Sequence, residues 1–240
     1  MRRILVTNDD GIHSDGIIRL AECAKNFGEV WVIAPDGERS AASHSITLRT
    51  HLDLWPHDFP VSGVHAYSCS GMPADCVRAG ALCLMPGKPD VVLSGINYGY
   101  NAATDTQYSA TVGAAFEGAF QGFRSIALSE EGTSCHEVAD AYLKGILEKW
   151  IDRVLPWNWI VNVNFPGCPL KACKGLLENR RASKGSFYKD AYKEKEKLPG
   201  GGVRVEVAGI YNEDAEEGTD FRALVDGYVS VGFLRNVGSV

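Results

Sequence analysis

Ile4-Leu5-Val6 is an unbroken apolar run that stops at Thr7-Asn8 and enters Asp9-Asp10-Gly11. A short apolar run bounded by turn residues predicts a buried strand. Ile17, Leu20, Ala21, Ala24 and Phe27 then recur at helical spacing, with Gly28 as a stop. The run EVWVIAP at 29–35 follows and is closed by its proline. Strand, helix and strand in this order predict a βαβ unit, the building block of a parallel sheet with helices on its faces.

The alternation continues. Residues 45–69, with SITLRTHLDLW and GVHAYSCS, alternate in strand fashion and predict a β-hairpin inserted into the α/β frame. Helices are expected over 73–85, 109–123 and 136–151, and strands over 90–97, 125–129 and 158–166. The pattern then changes. Residues 171–204 carry ten of the 24 Lys and Arg, and residues 206–220 carry six acids. Such a stretch predicts an exposed arm or hairpin rather than core. GYVSVGFL at 227–234 reads as a final strand. The division expected is a catalytic region over 1–165 and a β-rich arm with the last strand over 166–240, the arm not being an independent domain.

Composition narrows the function classes. A chain of 240 residues, 45% hydrophobic, is long enough for one substantial core. The net charge of -6 argues against nucleic acid as a partner. No apolar run approaches the length of a membrane span, so no membrane partner is expected. Seven scattered cysteines, none in a metal-type CxxC pair, predict reduced thiols in a cytoplasmic protein.

Open α/β sheets bind ligands at the carboxyl ends of their strands. Three such ends carry polar chemistry here: Asn8, Asp9 and Asp10; Asp36, Arg39 and Ser40; and Asn97 with Asn101. If these strands are neighbours, two carboxylates, a hydroxyl and an amide converge, all hard oxygen donors suited to Mg²⁺ or Mn²⁺. Adjacent carboxylates repel unless a cation lies between them or one is protonated. The plainer reading is a turn before a helix, with Ser14 or Asp15 as its cap. The small-residue helix start YSATVGAA could cradle a phosphate on its amides, or Ser109 could serve only as an N-cap. Metal and cradle together suggest hydrolysis of a phosphate ester. His13 and His44 are weighed as minor contributors. Arg39 either neutralises phosphate or pairs with Glu38 or Asp36.

TNDDG, AP…RS.AS.SIT at 34–47, GMPADCV at 71–77, SGIN.G.N at 94–101, YSATV.AA.EG at 108–118 and GYVSV at 227–231 occur in order across nearly the whole chain. Together they resemble the survival protein E (SurE) family of metal-dependent 5′/3′-nucleotidases. The resemblance implies a Rossmann-like catalytic region and a β-rich C-terminal extension exchanged between subunits of a homodimer, often paired into a tetramer. It implies one divalent cation per subunit, held by Asp9, Asp10, Ser40 and Asn97, with Asp9 and Asp10 also catalytic. It implies hydrolysis of nucleoside 5′- and 3′-monophosphates, in some members also of short polyphosphate. Asn101, Ser109, Ala110 and Thr111 are the phosphate-binding candidates. The chain departs from the family pattern at Ala41 and Ala110, where glycine is usual, and at Asp105, which is displaced along its loop. A receiver-like or other phosphate-binding regulatory protein without turnover is the alternative. Receivers need a phosphorylatable Asp at the end of a central strand, where this chain has Asn97, and a matching Lys, which it lacks.

Overall fold

The structure, a computed structural model, describes residues 1–236. Eight strands lead the chain order: β1 (Arg3–Thr7), β2 (Glu29–Pro35), β3 (Leu54–Pro56), β4 (His65–Cys69), β5 (Val91–Tyr98), β6 (Arg124–Glu130), β7 (Trp159–Phe165) and β8 (Leu176–Arg180). Short strands β9 (Tyr188–Lys189), β10 (Tyr192–Lys197), β11 (Val203–Val207) and β12 (Ile210–Tyr211) follow, then β13 (Val229–Arg235). The helices are α1 (Asp15–Ala24), α2 (Pro73–Ala79), α3 (Ala110–Phe120), α4 (Glu137–Trp150) and α5 (Asp220–Val225).

Nine strands form one sheet in the order β3-β4-β2-β1-β5-β6-β7-β13-β8. The six from β4 to β7 run parallel, while β3 and β13 pair antiparallel with β4 and β7. β1 is apolar on both faces because both are covered. Ile4 and Val6 pack with Ile17 and Leu20 of α1 and Leu143 and Ile146 of α4. Leu5, between them, packs on the other face with Cys76 and Val77 of α2 and Ala114 of α3. This period-two division is why helices cover both faces. The α/β class and mostly parallel sheet expected from the patterning are therefore present.

The inserted hairpin differs in detail. Its second strand, β4, pairs in parallel with β2, so the hairpin widens the main sheet. Of the alternating 45–55 stretch only its last two residues enter a strand, the short β3 at Leu54–Pro56. The earlier part is held elsewhere: the Thr47 N–H donates to Asp75 Oδ1 at 3.0 Å and its hydroxyl to Asp75 Oδ2 at 2.7 Å. Leu48, at 80% exposure, has no sheet face to cover. The helix expected over 73–85 is α-helical to Ala79 and widens to a π-turn over Gly80–Leu84.

The sheet draws strands from both sides of residue 165, since β13 pairs with β7 and β8 pairs with β13. The charge-segregated stretch does form an arm. β10 and β11 make an antiparallel ribbon exposed at every residue. β9 and β12 pair at its root.

The packing of α1 on the sheet depends on one glycine. A Cβ at Gly16 would sit 2.0 Å from the Ile96 carbonyl oxygen, so only glycine allows this approach. Gly16→Ala is expected to force α1 off β5 and cost about 2 kcal/mol, a fall in Tm of about 4–8 °C for a chain of this size. Thermal unfolding followed by circular dichroism checks it; an unchanged Tm refutes the close-packing account.

Candidate active site

β1, β2 and β5 are neighbours, so their carboxyl ends meet. The chain leaves β1 at Thr7 and turns at Gly11, placing Asp9, 3% exposed, and the partly buried Asp10 above the sheet edge. Asp9 is fixed by the start of α3. Thr111 donates its hydroxyl to Asp9 Oδ1 and its N–H to Asp9 Oδ2, the latter at 3.2 Å. The same hydroxyl lies 3.4 Å from Asn97 Oδ1, which brings the β1 and β5 ends together. Asp10 accepts the Tyr98 N–H on Oδ2 at 3.1 Å. Asn97 in turn donates its amide to the Gly99 carbonyl at 2.8 Å, leaving its Oδ1 turned to Thr111.

The third strand end arrives through its backbone. The Arg39 N–H donates to the Asp9 carbonyl at 2.7 Å. Ser40, next in sequence, is exposed and donates its hydroxyl to Glu38 at 2.7 Å. The loop then runs onto α3. Ser43 donates its N–H to Tyr108 O and its hydroxyl to Gln107 O. A Cβ at Gly113 would meet the Ser43 carbonyl at 2.5 Å, so glycine permits this contact too. Ala41 sits at φ 56°, in the left-handed region that favours glycine. That is the physical sense of the glycine which the resemblance would place here.

The electrostatics are one-sided. Burial first, countered by the Thr111 bonds, leaves Asp9 above the ordinary carboxylate range. Burial and then the Asp9 charge push Asp10 up to about 6. Glu38 adds repulsion on both aspartates and Glu130 on Asp10. Among the described residues no cationic side chain forms an ion pair with either aspartate. Arg39 pairs instead with Asp36, and Arg19 with Asp15, Glu130 and Asp140. Two buried, adjacent carboxylates with no protein cation fit a divalent ion, and the oxygens of Asn97 and Ser40 are donors of the same hard class. Among the described residues no three His, Cys, Asp or Glu side chains group as a metal site, so a full ligand set has to draw on these neutral oxygens.

The phosphate candidates are placed as follows. Ser109 caps α3, its hydroxyl accepting the Val112 N–H at 3.0 Å. The Thr111 amide is spent on Asp9, which leaves the turn's cradle to its first amides, at Ser109 and Ala110. Asn101 is buried: its amide donates to Ser129 at 2.8 Å and its N–H to Asn164 at 2.8 Å, so it braces the loop from below. Glu38 and the Asp9–Thr111 pairing escaped sequence reasoning. Glu38 lies two residues from Ser40, a spacing that could have marked it; Thr111 lies 102 residues from Asp9. His13 stands outside the site, its ring edge-on to His57 at 4.7 Å. His44 is bonded to Glu117 at 2.9 Å and so ties the Ser40 loop to α3.

An open parallel sheet with an all-oxygen, uncompensated acidic centre at its carboxyl edge, beside a helix start, defines a class of α/β proteins built to hold a cation against an anionic ligand. A sequence model described as "Survival protein SurE" matches residues 4–186. The chain belongs to the SurE family. It is 38% identical over 231 residues to the 5′-nucleotidase SurE of Thermosipho africanus, covering 95% of this chain and 89% of that protein. It is 38% identical over 234 residues to the 5′/3′-nucleotidase SurE of Shigella dysenteriae, covering 97% and 90%. The crystal structure of the SurE protein from Aquifex aeolicus superimposes with a TM-score of 0.83 at 35% identity, over 99% of this chain and 95% of that one.

Asp10 also sets a pH dependence. Its folded value of about 6 exceeds the ordinary 3.8, so the folded chain binds this proton more tightly than the unfolded chain. Stability therefore falls as pH rises from about 4 to 6, and the deficit is complete above that window. In metal-free protein, Asp10→Asn is expected to raise stability at pH 7.5 by on the order of 2 kcal/mol, with the advantage shrinking towards pH 4.5. Urea unfolding of both proteins at the two pH values tests this. An advantage that is absent at pH 7.5 or grows on acidification refutes it.

Proposed function

We propose that the chain hydrolyses nucleoside 5′- and 3′-monophosphates to nucleoside and phosphate, using a divalent cation held by Asp9, Asp10, Ser40 and Asn97. The observation that carries the reading is the convergence of Asp9, Asp10 and Asn97 beside the α3 start, with no cationic side chain among the described residues paired with either aspartate. The family membership and the names of the relatives supply the substrate class. They also favour turnover over the regulatory alternative, a phosphate-binding protein that does not hydrolyse its ligand.

Mg²⁺ or Mn²⁺ is the cation suited to this oxygen set, and when bound it supplies Lewis acidity towards a phosphoryl oxygen and towards water. The chain's own residues do the rest. Thr111 holds both oxygens of Asp9, and the Tyr98 amide holds Asp10, so the carboxylates keep their geometry when charge moves in the reaction. The amides of Ser109 and Ala110 present the positive end of the α3 dipole to the phosphate. Ser40, bonded to Glu38, would supply its hydroxyl oxygen to a bound cation, and Asp9 would be the carboxylate that accepts a proton from the attacking water.

The assembly is a homodimer, with a tetramer as its pairing, tied by the C-terminal arm. The support is the ribbon itself: Val203, Val205 and Val207 are 50–74% exposed, an apolar row a monomer leaves in water. The seven cysteines are free thiols, in keeping with a cytoplasmic site of action. Among the described residues no helix is long and apolar enough to cross a membrane.

Phosphate release from 5′-AMP and 3′-AMP is expected with Mn²⁺ or Mg²⁺ and is expected to stop with EDTA. Asp9→Asn should lower kcat/KM by about a thousandfold or more while the unfolding transition persists, the loss of several kcal/mol of transition-state stabilisation. Full activity of that variant at saturating Mn²⁺ refutes the site. Light scattering is expected to give at least twice the chain mass of 26.0 kDa, and the chain mass alone once residues 190–209 are replaced by a short Gly-Ser turn. An intact protein that runs at 26.0 kDa at micromolar concentration removes the arm from the account.

A further inference from the structure

The loop after β5 does more than carry Asn97. Two residues beyond it, at Gly99, begins a cavity of about 320 Å³, within the usual size of small-molecule sites. Gly99 lines this cavity, and its carbonyl accepts the Asn97 amide, so one residue connects the cavity wall to the end of β5. Its other walls are aromatic. The Tyr100 and Phe187 rings lie 5.4 Å apart at 25°, and the Phe187 and Tyr211 rings 6.4 Å apart at 21°. Phe187, only 4% exposed, is stacked with both Tyr100 and Tyr211, so the three rings form an aromatic platform whose open surface belongs to the tyrosines. The platform is rigid on one side: the Tyr100 hydroxyl donates to Glu131 at 3.0 Å, and Phe187 is packed on Phe221 at 4.2 Å. On the other side Tyr188 and Tyr211 are half-exposed, with ring surface left uncovered.

One polar group faces this platform without an ionic partner among the described residues. Asp105 lines the cavity from the short helical turn Ala103–Gln107. Burial first, then the charge of Asp190, raise its carboxyl above the ordinary range. Glu131 is already engaged, holding the Tyr100 hydroxyl and the Gly167 N–H.

We propose that this cavity is the nucleobase subsite, with Tyr211 stacking on the base, Phe187 and Tyr100 backing that ring, and Asp105 accepting hydrogen bonds from the base's N–H edge. The inference rests on the nucleotidase reading above and names what that site selects. An ionised carboxylate only accepts. Guanine offers it two adjacent donors, N1–H and the 2-amino group. Adenine and cytosine offer one amino group beside a ring nitrogen whose lone pair faces the carboxylate. The subsite therefore favours purines by stacking area and guanine among purines by donor pattern. The displaced acid of the loop, Asp105, thereby acquires a role.

The test is steady-state hydrolysis of GMP, AMP, CMP and p-nitrophenyl phosphate, a phosphomonoester with no base, by the full-length metal-loaded protein. GMP is expected to have the highest kcat/KM of the three nucleotides. Tyr211→Ala should lower the ratio of nucleotide to nitrophenyl ester kcat/KM by about tenfold, through KM, because stacking is lost. Asp105→Asn, whose amide can give adenine N1 a donor, should narrow the GMP-over-AMP preference by about tenfold. Guanosine, lacking phosphate, should inhibit nitrophenyl ester hydrolysis by the wild type and do so about tenfold more weakly in Tyr211→Ala. Equal losses on all four substrates, or unchanged ratios with unchanged guanosine inhibition, overturn the subsite and leave the nucleotidase reading standing. A wild type that cleaves the nitrophenyl ester and no nucleotide overturns the nucleotidase reading and the subsite together.

Discussion

Two carboxylates side by side at the end of a buried strand dominate this molecule. Burial raises the proton affinity of both Asp9 and Asp10, and the Asp9 charge raises that of Asp10 further. A chain pursuing stability alone would place a lysine or arginine against them. Here the nearby arginines are engaged elsewhere, Arg19 with Glu130 and Arg39 with Asp36. The uncompensated charge is a stored tendency to bind a cation, and the fold around it is arranged to hold that charge still.

The holding is done from three directions. α3 grips Asp9 through Thr111, β5 grips Asp10 through the Tyr98 amide, and the loop after β2 grips the Asp9 carbonyl through Arg39. Each grip depends on close packing lower in the fold. The near-contact of Gly16 with Ile96 seats α1 on β5, and that of Gly113 with Ser43 seats the loop on α3. His44 and Arg78, both bonded to Glu117, lock the same loop and α2 to α3. Site rigidity is thus a consequence of sheet-helix packing, and a substitution far from the carboxylates can loosen them.

The arm obeys different physics. Its ribbon satisfies its own backbone by pairing β10 with β11 but covers none of its side chains. At its root the ribbon meets the aromatic cavity through Tyr188 and Tyr211. The exposed arm and the aromatic cavity thus share residues, so a change in one reaches the other by simple adjacency.

Much of this was legible in the order of residues. Unbroken apolar runs at 4–6 and 91–93 announced strands covered on both faces, because a doubly covered strand dispenses with polar alternation. Adjacent aspartates after the first run marked a candidate cation site, because like charges repel unless a cation or a proton lies between them. The exposed arm showed in its segregated charges. What the sequence could not decide was what meets what across the fold. Thr111 lies 102 residues from Asp9, and its amide had the look of a phosphate donor until the folded chain gave it to Asp9. The alternation at 45–53 read as strand, yet Asp75 captures Thr47 before a sheet neighbour can. Tyr100, Phe187 and Tyr211 carry no local signal at all, since a shared cavity is a property of three-dimensional closure. Local pattern depends on which face of an element is covered, and that is written along the chain; the partner that covers it is chosen by tertiary packing alone.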